Sequence, residues 1–385
     1  MQDTLFKTQG KQTMKLGDGT EAFVGSGNIF AQDPDELVQT KDGYGGLQSQ
    51  WATCVTKFGY FCVDKNSRKV FIMKDKLTEI SNLGLENWFI DNLEFALESY
   101  TYGSTCISSV LDNPIVGLGL TSVYDPKYDR IILTKRDLIP TSIFINGHEK
   151  YQDYLNSGSN PPVYAGGEIF FDCDKGHFVK VSLDDMPLGA TNQTYTYTEI
   201  EWTNEDYFYS SGWTISFYPE FNIWCGFHDY LPYLYFTTSK NFYSFSSGSY
   251  NVWKHNQVSA NGSFYNTVYP FEIEYIHNEY RGEDTLLSSF NYTLETFNSD
   301  NNSVLEHGFT SFIVYNTFQT SGEESLNYLI NTRRVGNNWK VNKFRDLADL
   351  SNNTSSYYTS AGTNIIGGTN TGTITTSSTI PMFNI

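Results

Sequence analysis

Between Trp213 and Phe227 the chain runs WTISFYPEFNIWCGF, and this stretch restricts the fold more than any other. Trp213, Ile215 and Phe217 alternate with Thr214, Ser216 and Tyr218, a period of two that puts three large apolar side chains on one face of a strand. Pro219 has a fixed φ and no N–H, so Pro219-Glu220-Phe221-Asn222 reads as a tight reversal and 223–227 as the returning strand. The pattern has earlier counterparts. Residues 59–63 turn at Asp64-Lys65-Asn66-Ser67 and return over 69–72. Residues 122–124 turn at Asp125-Pro126 and return through Ile131-Ile132-Leu133, and 168–171 turn over 172–176 and return over 177–181.

Taking Asp64, Asp125, Asp172 and Pro219 as markers, the hairpins recur at intervals of 61, 47 and 47 residues. Units of roughly 40–50 residues carrying several strands are the sequence mark of propeller blades. Further hairpins over 271–297, where Phe271, Ile273 and Tyr275 alternate, and over 309–331, turning at Ser321-Gly322-Glu323, make six units. The expected fold is therefore all-β, a β-propeller-like array of hairpin repeats over 31–350. An irregular segment, 1–30, precedes it, and a Ser/Thr/Asn/Gly-rich tail or linker, 351–385, follows. Because the intervals are uneven, a two-sheet sandwich and an irregular solenoid are the alternatives. Helical patterning is confined to 77–96, a short helix or a buried loop, and a weaker stretch near 343–350.

The 7 Trp, 28 Tyr and 28 Phe fit this reading, since aromatic residues favour pleated, half-buried surfaces. The formal net charge of −18 argues against a protein that grips nucleic acid over most of its surface. Five scattered cysteines, Cys54, Cys62, Cys106, Cys173 and Cys225, read as buried free thiols. With no signal segment and no apolar run of about 20 residues, the sequence predicts a soluble chain.

Chemistry is harder to find. The six histidines are too dispersed for a local metal motif, and Asp172-Cys173-Asp174-Lys175-Gly176 lacks the later ligands of a calcium loop, which leaves a plain β-turn. No G-x-S-x-G elbow is present, and neighbouring carboxylates carry little information in so acidic a chain. The sequence predicts no enzyme, no cofactor and no metal. Its most distinctive polar run is NTRRVGNNWKVNKFRD, which gathers five of the 25 basic residues into 13 positions. Arg333, Arg334, Trp339, Lys340, Lys343, Phe344 and Arg345 are the candidate protein-interface residues, because Arg and aromatic types are enriched at interfaces and cations suit an acidic partner. A solvated strand pair and a nucleic-acid patch are the competing readings of the same run.

The runs GYGGLQSQWATCVTKFGYFCVDKNSRKVF, SFYPEFNIWCGFHDYLPYLYF and VYNTFQTSGEE, with NTRRVGNNWKVNKFRDLADL as the most specific part, resemble the tail nozzle or muzzle (tail stabilisation) proteins of crAss-like short-tailed bacteriophages. The resemblance covers roughly 25–350 and implies a β-rich, propeller-containing virion subunit that forms a closed ring at the distal end of the tail. It also implies contacts with adaptor and fibre proteins and passage of DNA without tight binding. Family members are longer, so the chain reads as a fragment of such a protein. A carbohydrate-binding or carbohydrate-cleaving propeller is the alternative, since surplus Trp and Tyr can stack on sugar rings.

Overall fold

The chain packs as two compact units, Met1–Phe271 and Glu272–Ile385. The computed structural model describes residues 45–74, 76–100, 111–113, 118–156, 168–183, 195–246, 251–257 and 262–271 of the first unit, with short pieces at 4–8, 12–15, 17, 20–24 and 33–37. In the second unit it describes 272–274, 289–297, 304–305, 307–315, 320–327, 331–342 and three strands between 355 and 377. The division falls inside the 31–350 span.

The first unit is built on antiparallel meanders. Thr53–Thr56, Gly59–Asp64, Lys69–Met73 and Leu77–Glu79 pair in chain order as a four-stranded sheet. Gly119–Asp125, Arg130–Arg136, Trp213–Tyr218 and Ile223–His228 form a second one, and Leu234–Thr237, Phe242–Phe245 and Val252–Lys254 a third. The second sheet is interrupted between its two hairpins. That insertion carries the helix Ser142–Asn156, a three-stranded sheet (Glu168–Asp172, His177–Leu183, Tyr195–Ile200) and the short pair Leu138–Pro140 with Phe208–Ser210.

One turn recurs in four hairpins. Asp64 faces Lys69, Asp125 faces Arg130, Asp172 faces His177 and Tyr218 faces Ile223, each pair enclosing a four-residue loop. The last loop residue is left-handed each time: Arg68 at φ 58°, Asp129 at 53°, Gly176 at 74° and Asn222 at 53°. Asn, Asp and Gly tolerate that region, and Arg68 is the exception. In the first three loops the aspartate at the strand end accepts a loop N–H, from Ser67 at 3.1 Å, Lys127 at 3.0 Å and Asp174 at 3.0 Å. The markers chosen in the sequence thus belong to a single turn geometry, and Asp172–Gly176 is the expected plain turn.

The central sheet has apolar groups on both faces. Leu120, Ile131, Leu133, Trp213, Ile215 and Phe217 pack with Phe61, Val63 and Val70 of the first sheet and with Phe89 of the helix Glu86–Asn92. Trp213 lies edge-on to Trp88, with ring centroids 4.8 Å apart, and donates Nε1–H to the Asn92 carbonyl at 3.3 Å. Trp224 is half-buried and donates to the Ile80 carbonyl at 2.9 Å. On the opposite face Val123 and Ile132 meet Tyr230, Tyr235 and Phe242.

The all-β expectation holds in its coarse form, because the protein is mostly antiparallel strand; no closed barrel or propeller is formed by the described residues. Residues 271–274 lie outside the strands, with Phe271 and Ile273 exposed, because alternation makes a strand only where a neighbour pairs with it. The reversal expected at Ser321-Gly322-Glu323 is not there. Ser321 exchanges bonds with Val314 inside the ladder, and the flanking bridge joins Tyr315 to Thr320. Within the expected tail, Ser355–Tyr358, Asn364–Gly367 and Ile374–Ser377 form a three-stranded antiparallel sheet, as their Thr, Tyr and Ile content allows.

The helix Ser142–Asn156 lies outside the helical patterning of the sequence, because its buried stripe is carried by Phe144 and His148 and broken by Gly147, whose missing side chain lets Ile169 approach. The cysteine expectation also needs correction. Cys54, Cys62 and Cys225 are free, and burial pushes the first two thiols up to about 12, but Cys225 is exposed on the edge strand Ile223–His228. Cys173 sits in an exposed turn and is disulfide-bonded, so it is neither buried nor free. Cys106 lies outside the described residues, as do 343–350. No described helix is long and apolar enough to cross a membrane.

Two outcomes are expected. Trp213→Ala removes the indole shared by helix and sheet and should lower stability by about 3–5 kcal/mol, read from urea unfolding. The second concerns pH. Burial, with Arg130 adding to the effect, pulls His228 down to about 4, and burial likewise pulls His255 to about 4. The unfolded chain keeps ordinary imidazoles near 6.5 and takes up protons first as pH falls. Stability is then full above about pH 6.5, declines by on the order of a few kcal/mol down to about pH 4, and levels off below. Urea midpoints across this range should show that slope, and His228→Gln/His255→Gln should flatten it.

Candidate protein-interface site

The basic run forms a hairpin of the second unit. Thr332–Val335 and Asn338–Asn342 pair across the two-residue turn Gly336-Asn337, where Gly336 has φ 62°, the glycine that such a turn takes at its first central position. Their third neighbour is Ser289–Thr293, so the middle strand is Asn338–Asn342. Alternation then sorts the candidate residues onto two faces.

On the buried face Trp339 is 2% exposed and Val341 fully buried. Trp339 stacks on Tyr292, its partner across the sheet, with ring centroids 5.8 Å apart and planes 7° from parallel. Val341 anchors a small core with Phe290, Phe312, Val314 and Leu326. The guanidinium of Arg334, which pairs with Trp339, lies 5.1 Å from that ring, and its Nε donates to the Gly336 carbonyl at 2.7 Å. Gly308 closes the other side of the indole. A Cβ built there would come within 2.7 Å of Trp339 Cη2.

The outer face carries the free charge. Arg333 and Lys340 are exposed and lie directly opposite each other in the ladder, with Asn291 on the far side of Lys340. Like charges placed so are destabilising unless an anion compensates them. Among the described residues neither cation has an ion pair. Together with Asn291, Asn338 and Val335, the last 73% exposed, they line a shallow depression.

Of the seven sequence candidates, Arg333 and Lys340 therefore share an exposed surface, while Trp339 and Arg334 hold the sheet together from the other side. Lys343, Phe344 and Arg345 lie outside the described residues. Sequence reasoning missed Tyr292, Asn291 and Gly308, because their partners are 31–49 residues away and nothing local to them signals the pairing. Among the described residues no group of His, Cys, Asp and Glu could hold a metal ion.

Comparison of the chain with protein-family models, and with curated proteins, returned no match.

Gly308→Ala should push the indole off Tyr292 and cost about 1–3 kcal/mol, the usual penalty for overpacking a filled site. Thermal unfolding of the variant checks this, with a loss of the near-UV dichroism of the stacked Trp339–Tyr292 pair as the local signature.

Proposed function

We propose that the chain is a structural subunit of a short-tailed phage tail, part of the nozzle or muzzle ring through which the genome leaves. The resemblance of its hairpins and of NTRRVGNNWKVNKFRD to that family supports the viral part of the reading. On this view the meander sheets of the first unit are blade-like elements, the protein is made in the bacterial host cytoplasm, and it resides in the virion tail. It has no catalytic role.

The observation that carries the assembly part is the facing pair Arg333 and Lys340, two exposed cations with no carboxylate partner among the described residues, on a chain of net charge −18. Such a pair is favourable only against an acidic surface. Another copy of the chain offers one, and Val335 beside the cations adds apolar area of the kind that interfaces bury. Adaptor and fibre proteins are the further partners. DNA is a poor occupant of this face, because two phosphate contacts give weak, salt-sensitive binding and a conduit is better lined by like charge.

Arg333→Glu/Lys340→Glu should abolish self-association in sedimentation velocity while leaving unfolding unchanged, since both side chains are exposed. Reversal of Arg334 would confuse the test by disturbing Trp339. A wild type that binds DNA tightly at low salt and loses it in the double variant, with assembly unaffected, would instead make the face a nucleic-acid site.

A further inference from the structure

The strand Arg130–Arg136 runs into Asp137 with three charged residues in a row, and alternation sends them to different sides. Lys135 and Asp137 neutralise each other at 2.8 Å and are both nearly fully buried. Lys135 Nζ also donates to the Glu94 carbonyl and lies over the Phe95 ring, and the Asp137 carboxylate accepts the N–H groups of Ala96 and Leu138 at 2.9 and 2.8 Å. This pair has no capacity left for the residue between its members.

Arg136 points the other way. Its guanidinium carbon lies 3.9 Å from the centroid of the Tyr233 ring, and its Nη1 is shielded from solvent without a hydrogen-bond partner among the described residues. Burial pulls the arginine down to about 10. A desolvated cation held only by a π face is costly in a chain with so many carboxylates, and an anion brought to its remaining N–H groups would offset that cost. Arg136 lines a cavity of about 180 Å³ with Trp202, Tyr233, Thr203, Ser210 and Glu201, and Leu118, Leu138 and Asp137, whose carboxylate is already held by Lys135, complete its walls. Glu201 is exposed and makes no ion pair with Arg136.

We infer that this cavity binds the carboxylate of a single acidic sugar residue, of the uronic acid class. Arg136 receives the carboxylate as a planar fork, Trp202 meets the apolar side of the sugar, and Thr203, Ser210 and Glu201 meet its hydroxyls. The volume favours one ring. It is below the roughly 300–1,000 Å³ of sites that take drug-sized ligands, and a folded protein surface would not enter it. The inference is independent of the tail-subunit reading, since all of these residues belong to the first unit and the interface cations to the second.

The test is isothermal titration of the full chain with glucuronate, glucose and acetate. Glucuronate should bind saturably and at least about tenfold more tightly than either of the others, the margin expected when one charged hydrogen-bonded contact or the ring contacts are missing. Arg136→Gln should weaken glucuronate binding by a similar factor. Because that change could unfold the chain, Ser210→Phe, which fills the cavity from an exposed position and leaves the Arg136–Tyr233 stack intact, must also abolish binding. No saturable glucuronate binding, equal binding of acetate or glucose, or binding that survives in Ser210→Phe would each overturn the inference. Equal binding of an acidic peptide would mean that the cavity takes a protein carboxylate and would overturn it too. None of these results bears on self-association.

Discussion

In the sheet whose edge strand is Ile223–His228, the strands Gly119–Asp125, Arg130–Arg136 and Trp213–Tyr218 are buried on both faces, and the first unit is arranged around that constraint. Toward the first sheet its side chains are apolar and aromatic. Toward the third they include Thr134, Thr214 and Ser216, all 1% exposed or less. Buried hydroxyls are tolerable only when bonded, and these are. The Thr134 hydroxyl lies 2.8 Å from that of Thr214 and 2.7 Å from that of Tyr235; Thr214 donates to the Tyr230 carbonyl at 2.6 Å, and Ser216 meets His228 Nε2 at 2.9 Å. A network of this kind fixes which sheet stacks on which, because a slip of one residue would leave every member unpaired.

Asp125 extends the same logic to the edge. It is fully buried, yet each oxygen is used: Oδ2 takes Arg130 Nε at 3.0 Å, and Oδ1 takes Asn256 Nδ2 at 2.9 Å and the Lys127 N–H. One carboxylate therefore shapes its own turn and ties the hairpin to a segment 131 residues away. The neighbouring histidines are neutral for the same reason that the network works, since a charge there would have to be desolvated beside Arg130.

The protein's cations divide by role according to their surroundings. Lys135 is paired and internal, Arg334 spans a tryptophan and a turn carbonyl, and Arg136 is half-buried without an anion among the described residues. Arg333 and Lys340 face outward together. Of these five, only the last three have no hydrogen-bonded or ionic partner among the described residues, and this is why an interface and a ligand cavity are proposed at those positions and not for the run of basic residues as a whole.

Local chemistry was legible in the sequence. The period of two at Trp213–Phe217, the aspartates that accept loop N–H groups and the residues tolerant of left-handed φ all act within six positions of one another. The hairpins at 59–73, 122–133, 168–181 and 213–227 therefore follow from the chain alone. Pairing over long separations did not follow. The joining of Arg130–Arg136 to Trp213–Tyr218 across an insertion, and of Ser289–Thr293 to Asn338–Asn342, depends on which exposed edges and apolar faces meet after the hairpins exist. The same holds for the candidate site. Composition marked NTRRVGNNWKVNKFRD as distinctive, but only the ladder register decides that Arg333 and Lys340 share a face while Trp339 turns inward. Arg136 carries no local mark at all, because its lack of a partner is a property of the walls that three distant segments build around it.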